Sequence, residues 1–218
     1  MAHTLCTFNA NNLFVRYRFG EKFPGDMGGR SQTPDPAFGY LPVYNPALFE
    51  FFNETQRELS VRALTDDHHS YPDIVCMQEV ESLIALRKFN EDKKLLNKRY
   101  PHALLIDGRD FRQIDVGILS RLEILSVRSH IDDLEPSPPG GKKAFLFSRD
   151  CLEVILALNK SGSRTLTLFI NHLKSKFSMS AEERQQADEL RRRQAQRVLD
   201  IVRERFPGPK FDTELFAV

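Results

Sequence analysis

The stretch 73-DIVCMQEV-80 decides the fold, because it is a continuous apolar run that ends in polar groups. Four consecutive apolar residues, Ile74 to Met77, precede Gln78 and Glu79. An uninterrupted run of this length is typical of a strand that is covered on both faces. The stretch therefore predicts a central strand with functional groups at its C-terminal end.

Further strands are predicted on both sides of this one. Residues 4–8 (TLCTF) form a short β-prone run near the N-terminus. Downstream strand-like runs occupy 102–107, 114–120, 123–130, 143–148, 151–158 and 165–173. The residues between them include DGRD, SPPGGK and NKSGSR, which supply the Gly, Asn, Asp and Pro that chain reversals require.

Three helices are predicted between and after these strands. The first starts at Asn45-Pro46, an N-cap followed by a proline at the first helical position, and the second runs from Ser82 to about Arg99. The third starts at Ser180, where SAEE forms a capping box. The predicted apolar stripes are Leu48, Phe52, Leu59 and Ala63 on the first helix, and Ala187, Leu190, Val198 and Val202 on the third.

The order of these elements favours an α+β protein. Consecutive strands mixed with helices indicate two packed, mostly antiparallel sheets with helices on the outside. Residues 16–45 carry Gly and Pro without sustained periodicity, so we predict a long loop there. The last stretch, 211-FDTELFAV-218, is expected to open a further strand.

Composition is that of an ordinary globular protein, with 41% hydrophobic and 28% charged residues and a mean hydropathy of −0.40. A net charge of +1 does not indicate a nucleic-acid or membrane partner for the chain as a whole. The three cysteines are far apart in apolar runs, which favours buried reduced thiols. With no signal-like N-terminus and no long apolar run, we expect a soluble, cytoplasmic protein without a membrane partner.

Two strand ends carry the strongest candidates for chemistry. Glu79 is costly to bury without a partner, and a hard cation such as Mg²⁺ is one such partner; an ion-paired or capping glutamate is the alternative. His172 ends the run TLTLFINHL, with Lys174 close behind. An imidazole and an ammonium group suit phosphate, but a histidine satisfied in the core and lysines on a solvated edge are the alternative.

Other polar residues at strand ends are individually weaker signals. Asn9, Asn11 and Asn12 follow the first strand, where asparagine is a common turn former. Asp115 opens a strand, a position where aspartate is often a simple cap.

Taken together, four motifs resemble the endonuclease/exonuclease/phosphatase superfamily, the group built on the fold of pancreatic-type deoxyribonuclease. They are TFNANNLF (7–14), DIVCMQEV (73–80), IDVGILSR (114–121) and INHLKSK (170–176), and the resemblance spans about Thr4 to Val218. Its most specific element is the early FN paired with the QE that ends the central strand. The resemblance implies a single domain over 1–218 with a four-layer α/β/β/α sandwich, and a metal-dependent phosphodiesterase or phosphatase.

The resemblance also implies roles for individual residues. Glu79 would be the principal ligand of Mg²⁺, for which Mn²⁺ can substitute, and Asn9 would bind phosphate or orient a metal ligand. His172 would contact the scissile phosphate and assist the leaving group, with Asp115 as its partner. Asn11 would lie where some members have an acidic metal ligand, and we predict that it binds substrate phosphate together with Lys174 and Arg112, whose charges suit that role. A nucleic-acid substrate is favoured by Arg109, the lysines of NHLKSK and the run RRRQAQR (191–197).

Two motifs of the family are missing from the 218 residues. No Gly-Asp-Phe-Asn and no Ser-Asp-His sequence occurs, although members use these to position the nucleophilic water and to supply the base. Because 215-LFAV-218 resembles the first half of the strand that leads to Gly-Asp-Phe-Asn, we expect a domain that is incomplete at its C-terminus. The alternative to an active hydrolase is therefore a catalytically incompetent fragment or binding module that keeps metal and phosphate contacts.

Overall fold

The computed structural model describes residues 2–17, 49–51, 54–65, 71–92, 99–135, 143–175 and 180–218. Within these residues the protein is α+β. The strands are β1 (Leu5–Leu13), β2 (Val15–Tyr17), β3 (Phe49–Phe51), β4 (Ile74–Val80), β5 (His102–Leu105), β6 (Asp115–Ser120), β7 (Ile124–Arg128), β8 (Cys151–Ala157), β9 (Thr165–Asn171) and β10 (Phe216–Ala217). The helices are α1 (Glu54–Thr65), α2 (Leu83–Asn90), α3 (Ala181–Arg205) and α4 (Lys210–Thr213).

Eight of these strands form two mixed sheets of four strands each. The first sheet has the order β1-β4-β6-β5, and the second has the order β10-β9-β8-β7. In each sheet one edge pair is parallel and the other two pairs are antiparallel. The prediction of two mostly antiparallel sheets is confirmed at this level, and β2 and β3 add a separate antiparallel pair.

Three apolar clusters connect the sheets and helices. One cluster joins the first sheet to α1 and α2, and another joins the second sheet to α3. Between them, side chains of β4 and β6 pack against side chains of β8 and β9, so the two sheets share an apolar interface. The strand β4 takes part in both of its neighbouring clusters, because Val75 and Met77 alternate with Ile74 and Cys76. This two-sided burial explains the unbroken apolar run that the sequence shows.

Strand β4 is distorted where its polar residues begin. Asn9 is opposite Gln78 and Leu13 is opposite Val80, so residues 10–12 of β1 lie opposite Glu79 alone. The register of β4 against β6 shifts at the same point. Asn11, Asn12 and Glu79 have φ angles of 51°, 66° and 60°. Asparagine adopts this left-handed conformation more readily than glutamate does, so Glu79 is the uncommon member, and such bulges redirect a side chain.

The first helix differs from its prediction. Residues 49–51 form β3, and α1 begins only at Glu54, whereas Asn45, Pro46, Leu48 and Phe52 lie outside the described residues. Leu59 and Ala63 are exposed, so the predicted stripe is wrong for the described part of the helix. The buried residues are Arg57, Ser60, Val61 and Leu64.

The physical reason is a polar residue on the inner face of α1. Arg57 is buried because its guanidinium group pairs with Asp92, and Val61 and Leu64 follow it at helical spacing. A prediction from hydrophobicity alone excludes Arg57 and Ser60 from the buried face, and the phase of the helix then comes out wrong.

Two further elements are shorter than predicted. Helix α2 is capped by Ser82 as expected but ends at Asn90, whose side chain donates to the carbonyl of Tyr100 and accepts from its N–H. Residues 143–148 were predicted as a strand, but only one bridge forms there, between Leu134 and Phe145. Leu146 and Phe147 are buried, so the apolar run reflects core packing rather than a sheet ladder.

The C-terminal part combines a confirmed and a corrected prediction. Ser180 caps α3 by accepting from the N–H of Glu183, as the capping box predicts. After α3, however, α4 precedes the short strand β10, so the predicted strand starts at Phe216 and not at Phe211. Of the predicted loop 16–45, Arg16 and Tyr17 belong to β2 and the remainder lies outside the described residues.

The cysteine thiols and the helices give little information about where the protein resides in the cell. Cys6, Cys76 and Cys151 are free, and burial raises the pKa of Cys76 to about 12. None of the helices in the described part of the chain combines the length and apolar character needed to span a membrane.

Candidate active site

A cavity of about 580 Å³ opens beside the middle of β1 and the C-terminal ends of β4 and β9. These parts of the strands are adjacent because Asn9 of β1 lies opposite Gln78 of β4 and the second sheet packs against the first. Its polar lining includes Asn9, Gln78, Glu79, Arg112, His172 and Arg191. The structure thus brings together four of the residues that sequence analysis singled out, namely Asn9, Glu79, Arg112 and His172.

Glu79 is at the centre of the contacts in this cavity. Its Oε1 accepts a hydrogen bond from Nδ2 of Asn9 at 3.1 Å and lies 3.6 Å from Nε2 of His172. Asn9 is itself held by Asn11, whose backbone N–H donates to Oδ1 of Asn9 at 2.8 Å. The backbone of Asn11, in the bulge of β1, therefore orients the Asn9 amide, and this amide in turn orients the Glu79 carboxylate. Asn11 thus contributes a backbone contact to the site.

His172 follows directly after β9. Burial, together with the positive charge of Arg149, lowers its pKa to about 4, although the carboxylate of Glu79 acts in the opposite direction. The imidazole is therefore neutral near pH 7. Within the described part of the chain, its Nδ1 is buried without a hydrogen-bond partner, and so is Oδ1 of the adjacent Asn171, which also lines the cavity. Buried polar atoms without partners are uncommon and often mark a site that a ligand or water completes.

Arg149 supports this site and was not found by sequence reasoning. Its guanidinium group donates to the carbonyls of His172 and Leu173 at 2.8 Å each, and to Oδ2 of Asp110 at 2.6 Å. Arg149 is buried, so these contacts fix the backbone of the segment that carries His172. The sequence offers no signal for this role, because a single arginine before a strand is usually a surface residue.

Asp110 joins Arg149 to Arg112. Its Oδ1 accepts hydrogen bonds from the backbone N–H and from Nε of Arg112, at 3.0 and 3.1 Å. Burial alone raises the pKa of Asp110, but the hydrogen bonds from Arg112 and the charge of Arg149 outweigh burial and lower it. Asp110 therefore stays ionised and positions Arg112 at the cavity wall.

Lys174 is predicted to bind substrate, but its backbone contacts two residues of α3. The backbone N–H of Lys174 donates to Oε1 of Gln194 on α3, and its carbonyl accepts from Nη1 of Arg191. Arg191 lines the cavity, whereas Lys174 is not among the lining residues. Helix α3 thereby supplies a cation that sequence analysis noticed only as part of a charged run.

Asp115 is not paired with His172 as predicted. Its Oδ1 accepts a hydrogen bond from the backbone N–H of Gly108 at 2.9 Å. Within the described residues, no hydrogen bond or ion pair joins the side chains of Asp115 and His172. Burial raises the pKa of Asp115 to about 7, and the nearby negative charges of Asp107, Asp110 and Asp150 act in the same direction. Asp115 opens β6, whose backbone begins opposite Val80, and from there its side chain holds the 107–113 segment.

The donor set of the cavity fits a hard cation that needs few protein ligands. Glu79 is the one carboxylate among the described lining residues, and no cluster of three His, Cys, Asp or Glu residues occurs in the parts of the chain that are described. Mg²⁺ is often held by one or two carboxylates, with water and substrate phosphate completing its shell. A carboxylate oriented by an amide beside an open cavity meets that requirement.

Comparison with known proteins identifies no relative: no protein-family model matches the sequence, and no curated protein matches it significantly.

Proposed function

We propose that the protein is a Mg²⁺-dependent phosphodiester or phosphomonoester hydrolase of the endonuclease/exonuclease/phosphatase superfamily, with a nuclease favoured. The observation that carries the proposal is Glu79. Its backbone is left-handed at the point where the register of β4 shifts against both β1 and β6, and its carboxylate accepts a hydrogen bond from Asn9. It also faces His172 in a cavity whose other charged lining groups are arginines. Unusual backbone conformations held by surrounding structure cluster at functional sites.

The fold supports the same proposal. Two mixed sheets that share an apolar interface, with helices packed on their outer faces, are compatible with a deoxyribonuclease-like four-layer sandwich. The four motifs that carry the resemblance contribute β1, β4, β6 and β9. Of these strands, β4 and β9 end at the cavity, and the middle of β1 lines it.

Glu79 would hold the metal, and Asn9 would orient its carboxylate. A bound Mg²⁺ supplies a Lewis acid for the phosphoryl oxygen. Arg112 and Arg191 attract the phosphate by charge, and the neutral His172 offers a single ring N–H as a hydrogen-bond donor. Arg149 keeps the His172 backbone in place through its two carbonyl contacts.

Hydrolysis requires an oxygen of water to bond to phosphorus while the ester P–O bond breaks and the leaving oxygen gains a proton. Among the residues that the structure describes, the cavity lining includes no second carboxylate that could take the proton of that water. This observation favours a second candidate function, a metal- and phosphate-binding module without turnover.

The test compares the full chain with Glu79→Gln, which keeps the side-chain shape but removes the charge. Hydrolysis of bis(p-nitrophenyl) phosphate, p-nitrophenyl phosphate and a labelled oligonucleotide is measured with Mg²⁺ and with EDTA. Mn²⁺ binding is followed separately by electron paramagnetic resonance. The matched control is Glu123→Gln, the same chemical change at an exposed position between β6 and β7.

We expect Mg²⁺-dependent hydrolysis that Glu79→Gln lowers by about 100-fold or more, since even indirect partners of a metal are worth about 10- to 100-fold. Glu123→Gln should match the wild type. Mn²⁺ binding that depends on Glu79 without any hydrolysis identifies the binding module. Absence of both, or hydrolysis that is indifferent to Glu79, refutes the proposed site.

A further inference from the structure

Phe111 is a solvent-exposed aromatic side chain that precedes Arg112, a residue of the cavity wall. It is 88% exposed, more than any other large apolar side chain that the described residues contain. Its neighbour Arg112 lines the cavity, so the ring is one residue from a phosphate-attracting group. A single exposed apolar residue is common on protein surfaces, and the surroundings of Phe111 decide whether it has a role.

The segment 107–113 that carries Phe111 is fixed on both sides of the ring. Before it, the N–H groups of Gly108 and Arg109 donate to Oδ1 of Asp115 and to the carbonyl of Ser148, at 2.9 and 2.7 Å. After it, the N–H of Gln113 donates to the carbonyl of Asp110 at 2.9 Å. The adjacent Asp110 is anchored by the buried Arg149. The backbone segment that carries the exposed Phe111 is therefore anchored on both sides of this residue.

One cation lies near the ring of Phe111, and another, Arg109, lies two residues before Phe111 in the same segment. The guanidinium carbon of Arg112 lies 5.9 Å from the centre of the Phe111 ring. Arg109, on the other side of Phe111 in the chain, stacks over the ring of Phe145 at 3.7 Å. An exposed aromatic face beside cations is the combination that binds single-stranded nucleic acid, because the cations contact phosphates while bases stack on the ring.

We propose that Phe111 is a base-stacking residue that makes the cavity selective for single-stranded polynucleotides. The inference rests on the proposed function, since it places the phosphate at the arginine-lined cavity and the neighbouring base on Phe111. In a duplex the bases are already stacked on each other, so the ring gains nothing from double-stranded substrate. Small phosphate esters without a base lack the group that the ring would contact.

A lipid surface is the other partner to which an exposed phenylalanine beside arginines could bind. Membrane-binding surfaces usually present several apolar side chains that enter the interface together. Phe145 is half exposed but has Arg109 over its face. No cluster of exposed apolar side chains is shown around Phe111 within the described residues, and its ring lies beside Arg112, which favours a polynucleotide.

The experiment measures binding of the full chain by fluorescence anisotropy in EDTA, so that metal-dependent cleavage is absent. One probe is a labelled oligothymidylate, and the other is an abasic strand with the same number of phosphates. The variants are Phe111→Ala, which removes the ring, and Phe111→Trp, which keeps an aromatic face. Leu125→Ala is the control, because it truncates an exposed apolar side chain on β7 that does not line the cavity.

We expect Phe111→Ala to weaken binding of oligothymidylate about tenfold and to leave binding of the abasic strand unchanged, while Phe111→Trp and Leu125→Ala bind like the wild type. No binding of oligothymidylate by the wild type overturns the proposal, and so does an equal loss on both strands. It is also overturned if Phe111→Ala lowers binding to phosphatidylglycerol vesicles instead of oligothymidylate.

The hydrolysis assay separates this inference from the proposed function. Binding that depends on Phe111 and on the bases, without hydrolysis that depends on Glu79, supports the stacking role and refutes the hydrolase. Hydrolysis that depends on Glu79 with binding that ignores the bases supports the hydrolase and overturns the stacking role.

Discussion

Replacing Asp115 by asparagine gives a direct test of how burial affects the acidic residues near the cavity. Asp115 is 4% exposed, and burial, against the hydrogen bond from Gly108, raises its pKa from 3.8 to about 7. A carboxyl group whose pKa is higher in the folded state binds its proton more tightly there than in the unfolded chain. The stability that this group contributes is therefore present in full below about pH 4 and is lost as the pH rises through 7.

The size of the effect follows from the two pKa values. At pH 5 the folded protein keeps the proton and the unfolded chain has largely lost it, whereas at pH 8 both have lost it. The contribution of Asp115 to the free energy of unfolding should fall by about 2.5 kcal/mol between these two pH values. Asparagine cannot ionise, so the Asp115→Asn variant lacks this fall.

Urea denaturation at pH 5, 6, 7 and 8, followed by circular dichroism, measures the difference between wild type and variant. Any constant cost of the substitution cancels when the two pH profiles are compared. Asp188→Asn makes the same chemical change at an exposed position of α3 and should follow the wild-type profile. Parallel profiles for wild type and Asp115→Asn would refute the reasoning, because they would mean that Asp115 titrates alike in the folded and unfolded states.

Three further substitutions test how the site is supported. Arg149→Met leaves the buried Asp110 side chain without one of its cations and the carbonyls of His172 and Leu173 without donors. Urea denaturation should therefore show that the free energy of unfolding falls by about 3–5 kcal/mol. Gly108→Ala places a Cβ 2.5 Å from Oδ1 of Asp115 and 2.8 Å from the carbonyl of Ser148, and should cost about 1–3 kcal/mol in the same assay. Ser180→Ala removes the cap that accepts from the N–H of Glu183, and thermal unfolding should show a loss of about 1 kcal/mol.

Each of these has an outcome that contradicts it. If Arg149→Met and the double variant with Asp110→Asn are equally destabilised, the cation is not compensating the Asp110 charge. A Gly108→Ala protein with wild-type stability would mean that the 107–113 segment can shift freely. Ser126→Ala, a hydroxyl loss at an exposed position of β7, is the control for Ser180→Ala, and equal effects would exclude a specific capping contribution.

Several features of the protein could be predicted from local sequence because they depend on local physics. The run Ile74–Met77 predicts a doubly covered strand, and β4 has that environment because its alternate side chains enter two different apolar clusters. Ser180 with Glu183 predicts the start of α3, since a cap involves only neighbouring backbone groups. The placement of Glu79 and His172 at strand ends could be anticipated in the same way, whereas Asn9, expected after the first strand, lies within β1 because the strand continues to Leu13.

Predictions failed where distant parts of the chain decide the environment. The buried face of α1 includes Arg57 because Asp92 pairs with it from beyond β4, and no pattern within the helix indicates that partner. Residues 143–148 look like a strand but pack as a loop, since their apolar side chains fill the core against α3 without a neighbouring ladder.

The sequence by itself determined elements such as β4 and the start of α3, and the polar residues at the C-terminal end of β4, because propensity, capping and apolar periodicity act over a few residues. Only the tertiary structure decided how these residues meet. It turns Glu79 toward Asn9 through a register shift, and it holds His172 by Arg149 and Asp115 by Gly108. These contacts join residues that are far apart in the chain or depend on a distorted backbone, and a linear pattern carries no information about either.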